Sequence, residues 1–434
     1  MSARTTALSA LIACRRQNGW SDGVLKSYIE RDRLDRRDAA LASRLCYGVL
    51  QNRMLLDHYL NACLDHGMAK LQPVVADILR LGAYQILFLD RVPNAAAVDE
   101  AVQQGKKYAN RQVAGLINAV LRALTRKAES IPMPASLALR YSHSEELVSL
   151  LADSIGSEEL EALLACNNEA PEATLQTNLL RVSQEEAASV LEAEGVKVSR
   201  HPLQTDCFTI AGAGSPERLK AFCGGLVYVQ DPAAKLTVDA ADPKPGQRVL
   251  DCCGAPGGKS IAAAIAMRDS GEIHCCDLHE GKLRLVRESA DRLGIHIIQT
   301  FARDARNTPE ALDGQFDLVI CDAPCSGLGV IRKKPDIRYK DLKETEKLPA
   351  LQRAILDRVS RCVRPGGILL YSTCTILKRE NEQVVQAFLK DHPEFSSEDF
   401  SLCGGVRSES GMLTLLPHRH HTDGFFIAKM RRRA

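Results

Sequence analysis

The chain has 434 residues, more than one hydrophobic core ordinarily supports, so its length predicts two or three domains. Hydrophobic residues make up 45% of it and charged residues 25%, which is typical of a globular protein in water. No apolar run reaches the roughly 18 residues of a transmembrane helix, and the first residues lack a signal-peptide cleavage pattern. Composition therefore excludes a membrane-embedded protein, and we expect a cytoplasmic one.

Fifteen cysteines are many for such a chain. They are scattered, often within apolar stretches, and they form neither a CxxC pair nor a zinc-finger pattern with paired histidines. Without a secretion signal, we expect reduced thiols that mostly pack in the core, and no metal site is predicted.

The small net charge of +2 conceals an uneven distribution. Residues 1–127 contain 19 Lys and Arg against 11 Asp and Glu, a net charge of +8, whereas the rest of the chain carries −6. A basic amino-terminal module indicates a polyanionic partner such as RNA, although charge alone fits a solvated helical surface equally well.

Residues 1–135 are predicted to form an all-helical, RNA-binding domain. Apolar residues recur there at helical spacing. The helical stretches are Ala40–Leu60, Val74–Leu89, 95–105 and 113–124. Pro73 fits a first helical turn, and Pro93 is expected to separate two helices.

Residues 136–232 are predicted to form a small α/β domain of the ferredoxin-like kind. Ser183 and Glu186 form a capping-box pattern at the start of a helix that Gly195 ends. The stretches with strand character are Thr174–Leu180, Cys207–Ile210 and Leu226–Gln230.

Residues 233–434 alternate strand and helix patterns, which predicts a doubly wound, mostly parallel, Rossmann-like sheet. The predicted strands are Arg248–Cys252, Glu272–Asp277, Ile297–Ala302, Phe316–Asp322, Gly367–Thr373 and a last one, Asp423–Met430. The expected fold class is thus multidomain: an all-α domain, a small α/β domain and a Rossmann-like α/β domain.

A glycine-rich turn, CCGAPGGK, joins the first strand of this sheet to its first helix. Such a turn lets the backbone approach a ligand closely. It is neither GxGxxG nor a Walker loop, because the glycine before GGKS is one position too close. The residues expected to contact a cofactor are Cys253, Gly254, Ala255, Pro256, Gly257, Gly258 and Lys259.

Aspartates follow three of the predicted strands: Asp277 the second, Asp304 the third and Asp322 the fourth. Because the carboxyl ends of parallel strands share one edge, these side chains line the crevice where such sheets bind ligands. Asp277 is placed for the ribose hydroxyls of an adenosine and Asp304 for its adenine amino group. One such aspartate is more often a cap or turn residue, but three after a glycine turn predict a cofactor site. S-adenosylmethionine fits better than a nicotinamide, since no His or Tyr is placed as a proton relay.

Two cysteines stand at adjacent strand ends, Cys325 in DAPCSG and Cys374 in YSTCT. A thiolate that adds to carbon 6 of cytosine makes carbon 5 nucleophilic enough to take a methyl group, and a base must then remove the carbon 5 proton. Asp322 is expected to hydrogen-bond the cytosine edge. Core packing is the better interpretation of one isolated cysteine, whereas a pair beside this loop favours catalysis. This chemistry does not say which cysteine attacks.

CGAPGGK, DAPCSGLG and YSTCT resemble the motifs of the RNA cytosine-5 methyltransferase family. The resemblance implies that Cys374 is the nucleophile and that Cys325 assists product release. It also implies S-adenosyl-L-methionine as the cofactor, bound by Cys253–Lys259, Asp277, Asp304 and Asp322. The loop departs from the family pattern at Gly254, where alanine is common.

Beyond these motifs, LASRLCYGVL, ILRLGAYQILFLDRVPNAAAVDEAV and GLINAVLRAL resemble the NusB-like domain of the bacterial 16S ribosomal RNA (cytosine-5) methyltransferase B group. The implied activity is methylation of a cytosine in 16S ribosomal RNA, and we expect a monomer. A transfer RNA cytosine-5 methyltransferase is one alternative. A non-catalytic RNA-binding or antitermination factor is another, which the paired cysteines and complete loop disfavour.

The segment Ile331–Lys340 has five basic residues in ten and follows DAPCSGLGV. Its place after Cys325 predicts contacts with phosphates beside the target base, and Tyr339 is a candidate to stack on a base. A solvated loop is the alternative. Because carbons 5 and 6 are hidden within a helix, the target cytosine must be unpaired or flipped out.

Overall fold

The computed structural model describes residues 2–17 and 21–434, which divide into two compact units. The helical unit comprises the chain up to Ala170 together with Ile331–Lys340, and the α/β unit comprises Pro171–Val330 and Asp341–Ala434. Among the described residues, no helix is both long and apolar enough to cross a membrane. The domain limits at residues 135 and 232 stay a prediction.

The helical unit is built from amphipathic helices. They are α1 Ala3–Gln17, α2 Ser21–Arg31, α3 Arg36–Gln51, α4 Arg53–Asn61, α5 Pro73–Phe88, α6 Asn94–Tyr108, α7 Arg111–Lys127, α8 Leu137–Tyr141, α9 Glu145–Ile155 and α10 Ser157–Cys166. Pro73 opens α5 and Pro93 precedes α6, as predicted. Fully buried leucines such as Leu45, Leu79 and Leu121 form its core, each contributing about 1.5–3 kcal/mol of transfer free energy.

The side chain of Arg338 is buried within the helical unit. Its Nη1 donates to the Gln51 carbonyl at 2.8 Å and to Asn168 Oδ1 at 2.7 Å, and its Nη2 donates to the Asn167 carbonyl at 3.1 Å. Burial lowers the pKa of the guanidinium to about 10. These acceptors are helix-end carbonyls and an amide, which replace the water that Arg338 loses.

The neighbouring Tyr339 is also held inside this unit. Its hydroxyl donates to the Leu50 carbonyl at 2.6 Å, and the Arg53 guanidinium lies 3.8 Å from the ring centroid. The prediction of RNA contacts is therefore wrong for Arg338 and Tyr339. Local charge density suggested an exposed loop, but both side chains find hydrogen-bond acceptors and packing in the helical core.

The α/β unit begins with a four-stranded antiparallel sheet in the order β2-β3-β1-β4. Its elements are β1 Ala173–Thr177, α11 Gln184–Ala193, β2 Lys197–His201, β3 Gln204–Ala211, α12 Lys220–Cys223 and β4 Val227–Val229. The capping box of Ser183 and Glu186 is present at the start of α11. Strand β2 was not predicted, because this edge strand is mostly exposed and lacks apolar alternation.

The second sheet has the order β10-β12-β9-β8-β5-β6-β7, with β11 paired to β12. The strands are β5 Arg248–Asp251, β6 Glu272–Asp277, β7 Ile298–Ala302, β8 Phe316–Asp322, β9 Val363–Thr373, β10 Phe395–Ser397, β11 Met412–Leu415 and β12 Phe425–Arg432. The helices are α13 Pro232–Ala241, α14 Gly258–Ala266, α15 Glu280–Leu293, α16 Leu348–Ser360, α17 Glu382–Asp391 and α18 Pro417–His420. All six predicted strands are confirmed, and only the short β10 and β11 were missed.

Strands β5 to β9 run parallel, so their carboxyl ends meet at one edge of the sheet. In the β8–β9 register, Asp322 lies opposite Ser372. This edge therefore brings together the residues that follow β5, β6, β7, β8 and β9.

Replacing Arg338 with methionine should destabilise the helical unit by about 2–4 kcal/mol, because several buried carbonyls lose their donor. Hydrogen exchange of the full chain should show faster exchange around Gln51 and Asn167. The exposed Arg16 of α1 provides the control, since Arg16→Met should change stability by less than about 0.5 kcal/mol. Equal protection in both variants would contradict the anchoring role of Arg338.

Candidate active site

The predicted cofactor loop lies between the end of β5 and the first turn of α14. The Gly254 amide donates to the Cys276 carbonyl at 2.7 Å, and the Gly257 amide donates to the Gly254 carbonyl at 2.7 Å. Gly257 has a φ of +106°, a conformation that L-residues with side chains rarely adopt. The loop is thus a tight turn that leads directly into α14, whose first N–H groups have no acceptor within the helix.

Gly254 is packed closely against its surroundings. A Cβ at this position would lie 2.5 Å from the Cys275 sulfur and 2.8 Å from Cγ of Asp251. Asp251 is fully buried, and burial raises the pKa of its carboxyl to about 6, although the Ser260 hydroxyl donates to it at 2.7 Å. Sequence reasoning missed Asp251; its signal was an acidic residue at the end of the first strand, directly before the glycine turn.

Asp277 and Asp304 lie at the expected strand ends. Asp277 is buried at the end of β6, and its Oδ1 accepts from the His279 amide at 3.0 Å. Asp304 follows β7 and caps a short 3-10 helix, with its two carboxylate oxygens bound by the Arg306 guanidinium. That hydrogen bonding lowers the pKa of Asp304. The proposed contacts with ribose and adenine stay predictions.

Asp322 is joined to the glycine loop by an ion pair. Its Oδ2 accepts from Lys259 Nζ at 2.6 Å, and its Oδ1 accepts from the Ser372 hydroxyl at 2.8 Å. Lys259 is buried, and its ammonium lies 4.8 Å from the centroid of the Phe425 ring. Both carboxylate oxygens of Asp322 are therefore oriented by partners from β9 and α14.

The sulfurs of Cys325 and Cys374 are 3.3 Å apart, and both residues are partly exposed. The hydrogen bond with Cys325 lowers the pKa of Cys374, and the ammonium of Lys259 acts in the same direction. The same hydrogen bond, with burial, raises the pKa of Cys325 well above the usual thiol value. The contact suits one thiol donating to one thiolate, and the directions of the two pKa shifts favour Cys374 as the charged partner.

The backbone around the two thiols is held by close glycine contacts. The Gly329 amide donates to the Cys374 carbonyl at 3.0 Å, and the Gly329 carbonyl accepts from the Gly424 amide at 2.8 Å. A Cβ on Gly329 would lie 1.9 Å from the Gly424 carbonyl oxygen, so a side chain there would push these loops apart. The hydroxyls of Ser326 and Thr375 are also within 2.8 Å of each other.

A second set of buried polar residues forms hydrogen bonds with the loops that carry Cys325 and Cys374. Sequence reasoning missed these residues. Glu380 accepts from the Ser326 amide at 2.9 Å, and Gln352 Nε2 donates to the Pro324 carbonyl at 3.0 Å. Asn381 donates to the Thr375 carbonyl at 2.9 Å. The only signal was the sequence EN shortly after YSTCT, which carries no chemical pattern by itself.

Residues 238–431 match the model of the family described as 16S rRNA methyltransferase RsmB/F, residues 1–126 match the NusB family, and residues 143–216 match the ferredoxin-like domain of the RsmF/B-like methyltransferases. The predicted NusB-like, ferredoxin-like and methyltransferase folds are therefore confirmed.

Relatives cover the whole chain. A protein of Bacillus subtilis (strain 168), named as a probable ribosomal RNA small subunit methyltransferase B, is 37% identical over 100% of this chain and 99% of its own. A ribosomal RNA small subunit methyltransferase B of Pseudomonas putida is 34% identical over 99% and 98%. The solved structure of a protein named PH0851 shares 27% identity and superposes with a TM-score of 0.82 over 98% of both chains. The chain therefore belongs to the RsmB/F family of 16S rRNA methyltransferases.

Proposed function

We propose that the protein transfers a methyl group from S-adenosyl-L-methionine to carbon 5 of one cytosine in 16S ribosomal RNA. The observation that carries the proposal is the pair of thiols, 3.3 Å apart, at the sheet edge that also holds the Lys259–Asp322 ion pair. A methyltransferase acting on oxygen or nitrogen needs no thiol pair, whereas carbon 5 of cytosine must first be activated by a nucleophile.

The residues of the glycine loop suit this cofactor. Gly254 and Gly257 place no side chain at two positions of the loop, and the first N–H groups of α14 can donate hydrogen bonds to a carboxylate. In the proposal, Cys253–Lys259 hold the methionine end, Asp277 holds the ribose and Asp304 holds the adenine. When bound, the cofactor supplies a methyl group on a sulfonium, an electrophile that an activated cytosine can attack.

The chain's own groups then account for the remaining steps. Cys374, held as a thiolate beside Lys259, adds to carbon 6 and leaves carbon 5 electron-rich. After methyl transfer, a base removes the carbon 5 proton, the electrons of that bond restore the double bond, and the Cys374 sulfur leaves as a thiolate. Cys325, which keeps its own proton, is proposed to assist this release by donating a hydrogen bond from its thiol to the departing Cys374 sulfur.

Asp322 is proposed to hold the cytosine ring. Because Lys259 and Ser372 fix its two oxygens, the carboxylate presents a defined acceptor to the exocyclic amino group of the base. Uracil carries a carbonyl there, which would face the carboxylate without a hydrogen to donate. This difference supports selection of cytosine.

The proposed RNA contact of the helical unit lies on α6 and α7. Residues 101–128 include six basic side chains and no acidic one. Those six are Lys106, Lys107, Arg111, Arg122, Arg126 and Lys127, all exposed. Among the described residues, none of them forms an ion pair with a carboxylate, unlike Arg140, which pairs with Glu161. Unpaired cations on one helical hairpin favour binding of phosphates.

The catalytic proposal predicts different failures for the two thiol variants. With labelled S-adenosylmethionine and 16S ribosomal RNA, Cys374→Ala should lose transfer by about 10³-fold or more, because no adduct forms. Cys325→Ala should instead accumulate a covalent RNA–protein complex that appears as a shifted band on a denaturing gel.

The exposed Cys223 gives the matched control, since Cys223→Ala should transfer methyl groups normally. Bisulfite sequencing of the product should report one protected cytosine. Methylation of transfer RNA alone would make transfer RNA the proposed substrate. Methylation of no RNA at all would overturn the proposed function.

Removing the cation of Lys259 should make Cys374 harder to ionise. Because the pKa of Cys374 is lowered, we expect iodoacetamide to alkylate wild-type Cys374 at a lower pH than an ordinary thiol. In Lys259→Met the midpoint of the pH profile should rise by about one unit or more, because the thiolate loses a neighbouring cation. Lys244→Met, at an exposed lysine paired with Asp242, should leave the midpoint unchanged. An unshifted midpoint in Lys259→Met would show that Lys259 does not lower the pKa of Cys374.

Neutralising the α6–α7 face should weaken RNA binding without altering the cofactor site. The triple variant of Lys106, Lys107 and Arg111 to alanine should bind 16S ribosomal RNA more weakly. Its plot of log affinity against log salt concentration should be shallower by about 2–3. A control with Lys197, Lys220 and Lys244 changed to alanine removes three exposed cations of the α/β unit. Equal losses in the two triple variants would argue against a dedicated face.

A further inference from the structure

Glu380 is a buried carboxylate directly beneath the Cys325 loop. It stands in the turn between β9 and α17 and has no exposed surface. Its Oε2 accepts from the Ser326 amide and from Gln352 Nε2, both at 2.9 Å. Its own carbonyl accepts from the Tyr371 hydroxyl at 2.7 Å. Oε2 and the backbone carbonyl are thus both fixed, and the buried carboxylate lies close to Cys325.

The charges around the two thiols are unevenly distributed. Lys259, paired with Asp322, acts on Cys374 and favours its thiolate. Glu380 acts on Cys325 and favours its protonated form. Asp322 disfavours the thiolate at both sulfurs, and at Cys374 its effect exceeds that of Lys259, whereas Asp423 opposes ionisation of Cys374 more weakly than Lys259 favours it. At Cys325 the effect of Glu380 exceeds that of Asp322.

Two sulfurs 3.3 Å apart share a single hydrogen bond, so when one thiol ionises the other keeps the proton and donates it. The charges around the pair, among them the carboxylates of Glu380 and Asp322 and the ammonium of Lys259, determine which form is lower in free energy. In a site of low dielectric, one nearby charge changes a proton affinity by about one to three pKa units. The order of the two thiols therefore depends on these charges.

We propose that the carboxylate of Glu380 assigns the roles of the two thiols, keeping the shared proton on Cys325 so that Cys374 is the thiolate that attacks. Glu380 is in this sense a positioning residue, because it touches neither base nor cofactor and acts through Cys325. The inference rests on the proposed function for its catalytic meaning, but the charge order itself can be measured without any reaction.

Two variants separate the charge of Glu380 from its hydrogen bonds. Glu380→Gln keeps an oxygen for the Ser326 and Gln352 donors but removes the charge. Glu380→Asp keeps the charge but shortens the side chain that holds the loop. If charge assigns the roles, the glutamine variant changes the thiol order and the aspartate variant preserves it; if only loop support matters, the aspartate variant is the more affected.

The experiment is alkylation with limiting iodoacetamide from pH 6 to 10, followed by mass spectrometry of the Cys325 and Cys374 peptides. In the wild type, label should appear on Cys374 first. In Glu380→Gln the ratio of Cys374 to Cys325 labelling should fall by about tenfold or more, the factor that one pKa unit represents. Glu382→Gln, whose carboxylate instead contacts Thr414, should keep the wild-type ratio. Thermal unfolding of each variant identifies any loss of fold.

Methyl transfer measured on the same preparations separates a failure of the Glu380 inference from a failure of the proposed function. An unchanged labelling ratio in folded Glu380→Gln overturns the role of Glu380, whether or not the enzyme methylates RNA. If Glu380→Gln changes the labelling ratio but the wild-type protein transfers no methyl group to RNA, the charge assignment is supported and the proposed function is overturned. If Glu380→Gln does not fold, loss of the wild-type ratio in folded Glu380→Asp overturns the inference.

Discussion

The ion pair between Lys259 and Asp322 joins the two halves of the candidate active site. Lys259 belongs to the glycine loop after β5, and Asp322 ends β8, so the 2.6 Å contact ties the cofactor loop to the strand that leads to Cys325. Ser372 of β9 completes the link from the strand that leads to Cys374. Without this pair, a buried ammonium would lack a counter-charge at the centre of the site, which is costly. The contact therefore serves both the geometry and the electrostatics of the sheet edge.

The surrounding charges make the two thiols unequal, whereas thiol chemistry alone treats them alike. A thiol and a thiolate in hydrogen-bond contact are interchangeable until their surroundings differ. Here the surroundings differ, because Lys259 acts on Cys374 and Glu380 acts on Cys325. The family resemblance implies that Cys374 attacks, and the carboxylate of Glu380 near Cys325 favours the same order.

The segment Ile331–Lys340 illustrates how local charge can mislead. Five basic residues in ten look like a phosphate-binding loop, yet Arg338 and Tyr339 are satisfied inside the helical unit. The chain thus enters that unit a second time, between two stretches of the α/β unit. The α6–α7 hairpin is the better candidate for RNA, because its cations are exposed and unpaired with carboxylates in the described chain.

The sequence by itself determined the order of domains, the parallel sheet, the glycine loop and the residues at its strand ends. These features follow from the period of the hydrophobic residues, from turn chemistry and from position at strand ends. All three are local properties of the sequence. Only the tertiary structure decided that Lys259 pairs with Asp322, that Glu380 and Gln352 lie under Cys325, and that Arg338 is buried. Such contacts join residues tens to hundreds of positions apart, and they depend on which strands are neighbours and which side chains find partners when water is excluded. No local pattern encodes that information.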